Sequence, residues 1–500
     1  MLIVDWESRD ADTFFFQFSS FSLFQRSVAA VLNDEDLAKI FFEQIVYNSG
    51  DKSEDDKTGT SSSGSLGGLI LQKVAGDPDI YELMLMIMNN LGQALSQQGI
   101  VREAILHHLA AAALLETRLQ LLSGVDEEIA KDEILEAQDN LLHTRAHIWR
   151  ASKVNGEWER FADFDVLKHH VDEIQLKNGM DSALLPFDTL GSDVTPQWRK
   201  NIAVKHAESL SLFSRNYSPE TQKSRHTHHR SINNNKPPLL KLGYLCYDFN
   251  DHPTAHLAEG LFLYHNTSKN NDIVVSAYNY GKNDNSSYRE NIVMLSGGYQ
   301  AEGGRFFELS HLGHDSGADL IKSDVPDVLI DMQGFTLGGR PELTARMLAP
   351  IQVNYLIFPG TSGATFMHYL VGDRFVTPPE HANFYSEKLS LMPESYQINF
   401  YKRHVGESEN YSWTKEERRR ARVDHGLCED CFVFANFNKQ DKIEPAIFNT
   451  WCDVIKSVPG SILCEFLQRV RVCACKSRLR MFCTFGLGAH SVPIIYFPSF

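Results

Sequence analysis

Residues 239–247, Leu-Leu-Lys-Leu-Gly-Tyr-Leu-Cys-Tyr, run directly into Asp248-Phe249-Asn250-Asp251-His252-Pro253-Thr254-Ala255-His256. The first part is an apolar run of strand length, the second a polar turn that closes on a proline. Proline fixes φ and lacks an N–H, so it sits well at the first position of a helix. The stretch therefore reads as strand, turn and helix start. Apolar runs rich in Val, Ile, Leu and Tyr recur at 273–280, 328–332 and 351–358, with stretches long enough for helices between them. This alternation predicts a doubly wound parallel sheet.

Ligands of such sheets bind beyond the carboxyl ends of the strands. Polar motifs follow three of the four runs: residues 248–256, then Gly334-Phe335-Thr336-Leu337-Gly338-Gly339-Arg340, then Pro359-Gly360-Thr361-Ser362-Gly363-Ala364. Neither Gly-rich segment matches a Walker loop or a dinucleotide fingerprint. In the first motif, Thr254 and the amides after it lie at a helix N-terminus, suited to an anionic or hydroxyl-rich ligand. Asp248 can orient His252 or share its proton, and a near-neutral imidazole suits removal of a proton from a hydroxyl. The competing reading makes His252 a helix cap and packs His256 inside the helix. The local sequence leaves both open.

Upstream, residues 1–68 hold mixed apolar residues, with a helix expected at 35–47, then a Ser/Gly-rich loop. Residues 69–150 are read as helical. Met88, Leu91, Gly92, Leu95, Gly99, Ala104, His108 and Ala111 fall where a tetratricopeptide repeat places its packing residues. Such helices would bind polypeptide in their groove. Residues 151–238 read as a helical linker, with helices near 164–176 and 197–212. It ends in His226-Thr227-His228-His229 and an Asn/Pro stretch, a domain boundary rather than a metal site.

Downstream, a charged helix at 415–422 and an apolar run at 431–437 begin a second α/β unit. Lys442, after that run, can neutralise a diphosphate leaving group. Cys428 and Cys431 form a Cys-x-x-Cys without the second pair a structural zinc requires, and read as two reduced thiols. A formal charge of −16 argues against a nucleic-acid partner, and no apolar stretch approaches membrane-spanning length.

Taken in order, Gly243-Tyr244, Asp248-Phe249, residues 252–257, Ala349-Pro350-Ile351-Gln352-Val353, residues 359–364, Tyr385-Ser386-Glu387-Lys388-Leu389, Met392-Pro393, Asn436-Phe437-Asn438 and Lys442-Ile443-Glu444-Pro445 closely resemble the protein O-linked N-acetylglucosamine (O-GlcNAc) transferase family. The resemblance implies a tetratricopeptide-like helical region followed by two Rossmann-like (GT-B type) halves, at 239–404 and from 405 on. It implies UDP-GlcNAc as donor, Ser/Thr of intracellular cytoplasmic or nuclear proteins as acceptors, no metal, no membrane, and protein substrates bound through the repeat-like region. Self-association into a homo-oligomer is left open. His252, Asp248 and Lys442 take the catalytic positions. Pro253, Thr254, Pro359, Gly360, Thr361, Ser362, Gly363 and Lys439 take the donor and substrate positions.

Three departures qualify the resemblance. Ile357 stands where the family usually has Gly, and its branched side chain is expected to crowd the sugar pocket. Lys439 stands where Gln is commoner. The likeness stops near Leu463, so the second half at 405–463 reads as incomplete, cut short by a misread exon or frame. The tail at 464–500 shows no strand–helix alternation and lacks the His-Thr-Thr and Asp elements that hold the uridine and ribose. A non-catalytic protein-binding scaffold and a GDP-fucose-dependent protein O-fucosyltransferase are the alternatives.

Overall fold

A computed structural model describes residues 66–157, 160, 163–215, 239–267, 273–401, 414–424, 427–438, 442–467, 480–483 and 492–498. The helix expected at 35–47, the histidines at 226–229 and Lys439 lie outside the described residues. The chain forms two compact units: Leu184–Thr414, and Met1–Ala183 together with Lys415–Phe500.

In the first unit, the expected apolar runs become strands β1 (Leu240–Cys246), β2 (Ile273–Asn279), β4 (Val328–Asp331) and β5 (Ile351–Asn354). Three more, β3 (Phe306–Glu308), β6 (Tyr369–Asp373) and β7 (Lys388–Met392), were not foreseen. Together they make a seven-stranded sheet ordered β3-β2-β1-β4-β5-β6-β7, parallel at every pairing. Strand order reverses between β1 and β4, which are direct neighbours with Leu242 opposite Val328. In open α/β sheets, that reversal opens the ligand crevice.

Both faces of the sheet are covered, as runs with apolar residues on both faces require. Tyr244 and Cys246 point to a cluster with Phe249, Ala255, Ala258, Phe262 and Ile292, which lie on or near α7 (Pro253–Thr267) and α8 (Ser287–Leu295). Leu245 points the opposite way, to Tyr278, Leu329 and to Ala318 and Ile321 of α9 (His314–Asp324). This alternation is the period of two of a strand. A side chain at Gly243 would meet the Tyr278 ring at 2.4 Å, so β1 and β2 demand glycine there. A short helix α10 (Pro341–Thr344) precedes β5.

The run at 351–358 ends as a strand at Asn354 because the backbone turns at Leu356, whose φ is +85°. The chain then passes beneath helix α6 (Pro196–Ser214), capped by the Thr195 side chain. Ala207 and Leu210 of α6 pack on Ala364, Phe366 and Met367. Gly363, with φ +69°, lies so close to α6 that a Cβ would fall 2.1 Å from the Ala203 carbonyl carbon.

In the second unit, α1 (Leu66–Gly76), α2 (Pro78–Gln97), α3 (Val101–Leu122), α4 (Glu127–Asn155) and α5 (Asp163–His170, continued as a π-helical turn to Leu176) are described. Helix α1 begins at Leu66, inside the stretch read as Ser/Gly-rich loop. Of the repeat-like positions, Met88, Gly92 and Leu95 are buried on α2 and Ala104, His108 and Ala111 on α3, Leu91 is half-buried, and Gly99 turns the chain at φ +73°. With 20 and 22 residues, the two helices together exceed a repeat unit of about 34 residues.

Its α/β segment holds α11 (Lys415–Asp424), β8 (Val433–Asn436), α12 (Pro445–Ser457) and β9 (Ile462–Leu467), with β8 and β9 parallel. The tail read as lacking regular alternation contributes β10 (Arg480–Cys483) and β11 (Val492–Pro498), the latter pairing parallel with β9. Cys428 and Cys431, expected as free thiols, are joined in a disulfide. Their Cα atoms are 5.6 Å apart, a separation a disulfide spans.

Candidate active site

β1 carries the chain out of the sheet through four consecutive buried residues, and the turn it feeds is held from several sides. Asp248 is 7% exposed and its Oδ2 lies 3.4 Å from Nδ1 of His252. The His252 ring is partly open, with 41% of its side chain exposed. Pro253 opens α7, and buried Thr254 places its Oγ1 3.1 Å from the same Nδ1. The Thr254 N–H also points at Nδ1, at 3.3 Å.

Nδ1 cannot serve both neighbours at once. If it carries the proton, it faces the Asp248 carboxylate and Nε2 keeps the lone pair a base needs. If it carries the lone pair, it accepts from the Thr254 amide and caps α7. The base and cap readings of the sequence are thus two tautomers of one ring. His256 does not pack inside the helix alone: its Nε2 lies 2.8 Å from Asp251 Oδ1 and its ring stacks on Tyr288 at 3.7 Å.

Two residues that sequence reasoning passed over hold this turn. Gln333, 1% exposed at the exit of β4, donates from Nε2 to Asp248 Oδ2 at 2.9 Å and to the Leu337 carbonyl at 3.0 Å. Fully buried Arg289 of α8 donates to the Phe249 carbonyl and pairs with Glu308 at 2.6 Å. Asp331, at the end of β4, shapes the Gln333 turn by accepting from the Gln333 and Gly334 amides. Burial nevertheless raises its carboxyl above the usual range.

The loop after β5 is held as firmly. Thr361 Oγ1 donates to buried Glu387 at 2.7 Å, the Ser362 amide donates to the same carboxylate at 2.7 Å, and Thr361 Oγ1 accepts from the Gly363 and Ser386 amides. Asn354 binds the Gly360 carbonyl at 3.1 Å. Residues 360–364 are all buried and Pro359 is exposed, so the Thr361 hydroxyl is committed to the protein interior. Ile357 is half-buried and packs against the Tyr355–Leu356–Met332 cluster, where the hydrophobic core takes up its side chain. Lys442 belongs to the other unit and is exposed just before α12.

Among the described residues, no group of three or more His, Cys, Asp or Glu is placed to hold a metal ion, and no helix is long and apolar enough to cross a membrane.

Fold and site define an α/β protein of the doubly wound class, with a carboxylate–imidazole pair and a helix N-terminus at the switch point of its sheet. The family model described as glycosyl transferase family 41 matches residues 163–419 and 415–493, continuing past Leu463, where the motif likeness was read to stop. The chain belongs to glycosyl transferase family 41. It is similar to the Arabidopsis thaliana protein named probable UDP-N-acetylglucosamine--peptide N-acetylglucosaminyltransferase SEC, 40% identical over 45% of this chain and 21% of that one. A Caenorhabditis elegans UDP-N-acetylglucosamine--peptide N-acetylglucosaminyltransferase is 36% identical over 32% of this chain and 13% of its own. The Petunia hybrida protein of the same probable activity named SPINDLY is 22% identical over 47% and 23%. The chain thus matches less than a quarter of the length of each of these relatives.

Proposed function

We propose that this chain carries the acceptor-activating part of an O-GlcNAc transferase. The donor is UDP-GlcNAc, and the acceptor is a Ser or Thr hydroxyl of a protein. His252, as the tautomer with the proton on Nδ1, takes the hydroxyl proton through Nε2, and Asp248 stabilises the imidazolium that forms. The acceptor oxygen bonds to the anomeric carbon while the bond from that carbon to the diphosphate breaks, with inversion. The amides at the start of α7 take up the negative charge of the departing UDP. Lys442 is assigned to the diphosphate from its place in the motif 436–445 alone. Pro253, Thr254, the 359–363 loop and Lys439 are assigned to the donor and acceptor contacts, with Pro359 the exposed member of that loop. No metal enters this scheme.

The Asp248–His252 pair beside a helix N-terminus, at the point where strand order reverses, carries this reading. The names of the three relatives support UDP-GlcNAc over GDP-fucose. The test is label transfer from radioactive UDP-GlcNAc to an acceptor protein, with GDP-fucose in a parallel reaction. Transfer that His252→Ala and Lys442→Met abolish is expected. Undiminished transfer by His252→Ala sinks the assignment of the base, and transfer from GDP-fucose alone sinks the donor. The scaffold reading is favoured by one observation, the commitment of the Thr361 hydroxyl and the Ser362 amide to Glu387. Under that reading the chain binds neither nucleotide sugar.

A further inference from the structure

The Gln333 side chain makes four hydrogen bonds with four different groups, all within two strand exits. Its Oε1 accepts from the Tyr247 amide at 3.3 Å and from the Cys246 thiol at 3.5 Å. Its Nε2 donates to Asp248 and to the Leu337 carbonyl. Burial holds the Cys246 thiol well above its ordinary pKa, so the thiol stays protonated as a donor. Only one orientation of the amide satisfies this ring. Turned over, Gln333 would set its oxygen against a carboxylate and a carbonyl, and its NH2 group against an N–H.

The bond from Gln333 to Asp248 spans the place where strand order reverses. Asp248 leaves β1 and Gln333 leaves β4, 85 residues later. It falls on Oδ2, the same oxygen that faces His252 Nδ1. A carboxylate oxygen accepts hydrogen bonds and so calls for a proton on the nitrogen opposite. The bond also fixes the side-chain torsion that aims Oδ2 at the ring rather than into solvent. On the other side of the ring nitrogen, the Thr254 amide draws the lone pair of Nδ1 toward itself.

We propose that Gln333 is a positioning residue that selects the tautomer of His252: through Asp248 it holds the proton on Nδ1 and leaves Nε2 as the base. Gln333 is buried and acts through the carboxylate. This deepens the function proposed above and rests on it for its consequence in catalysis, while the tautomer itself can be read without any turnover.

The experiment is 15N–1H NMR of the full chain labelled at histidine, with His252 assigned by its loss in His252→Asn. The parent is expected to show the Nδ1–H form at a pH where the ring is neutral. Gln333→Met, of similar length but without a donor, is expected to convert it to the Nε2–H form. Gln333→Asn, which keeps the amide but falls one methylene short, is expected to do the same, so the test survives if one variant fails to fold. An unchanged Nδ1–H form in a folded variant overturns the proposal, as does an Nε2–H form in the parent. In label transfer, kcat is expected to fall on the order of 10-fold or more with the donor KM nearly unchanged. A parent with no transfer at all counts against the proposed function and leaves the tautomer result to stand or fall by itself.

Discussion

β1 leaves the seven-stranded sheet through residues 243–246, all buried, and its turn is bonded at once to α8 and to the exit of β4. β8 leaves its own sheet through residues that are half-buried or exposed, and the next aromatic residue, Phe437, is 66% exposed. Among the described residues, α12 sets only Phe448 and Ile455 fully into that second core. Equivalent positions in the chain's two α/β segments are thus built to different standards. The first presents side chains already oriented, so a ligand finds an arranged site; the second presents Lys442 on an exposed turn. Under the proposed mechanism, preorganisation lies where the proton is moved, and a point charge, which needs little orientation, sits on the more exposed exit.

The sharpest way to break this contrast is a matched pair of truncations. Phe249→Ala removes a fully buried ring and is expected to cost about 3–5 kcal/mol, whereas Phe437→Ala is expected to stay within about 0.5 kcal/mol, both read by urea denaturation. Equal losses would erase the difference between the two exits.

Acid sharpens it from another side. In the helical segment, burial lowers His107 to about 4; burial, followed by the charges of His147, His107 and Arg150, lowers His108 to about 3. Both are therefore neutral when folded and titrate near 6.5 when unfolded. In that window the unfolded chain binds more protons, so stability is complete above about pH 6.5 and falls as the pH drops toward 4. From His107 alone the loss reaches about 3 kcal/mol. Helical signal followed against pH should decline in this window in the parent and less steeply in His107→Phe. A flat profile would contradict the burial.

Within the first segment, Thr361→Val leaves the Glu387 carboxylate short of a donor and is expected to cost about 1–3 kcal/mol. The smallest expected effect is that of Lys442→Met, within about 0.5 kcal/mol of the parent in stability. That is the outcome for a residue whose value is functional, and a large loss would mean that Lys442 holds structure.

Much of this was legible in the chain. β1, β2, β4 and β5 announced themselves as runs dominated by apolar residues because both sheet faces are covered. β3 is three residues long, β6 is interrupted by Gly372, and β7 alternates exposed and half-buried residues at the sheet edge, so none gave a run to find. Asp248, His252 and Thr254 were legible from a proline after a strand. Gln333 and Glu387 were not. A glutamine between Met332 and Gly334, or a glutamate before Lys388, looks like any polar loop residue until its partner, 85 or 26 residues away, is brought beside it. The tautomer conflict at His252 was also invisible, because it depends on tenths of an ångström rather than on residue type.

The reversal of strand order also has a consequence in time. β1 pairs with β2 across a single crossover that holds α7, but β4 reaches β1 only after α7, β2, α8, β3 and α9 have been laid down between them. Closing a loop of that length has an entropic cost that local pairing does not. A chain with only its parallel β1–α7–β2 unit formed already owns Asp248 and His252, yet Gln333 is still at large. The imidazole therefore acquires its full arrangement only once β4 has docked on β1, and a chain without that pairing carries the motif without the site.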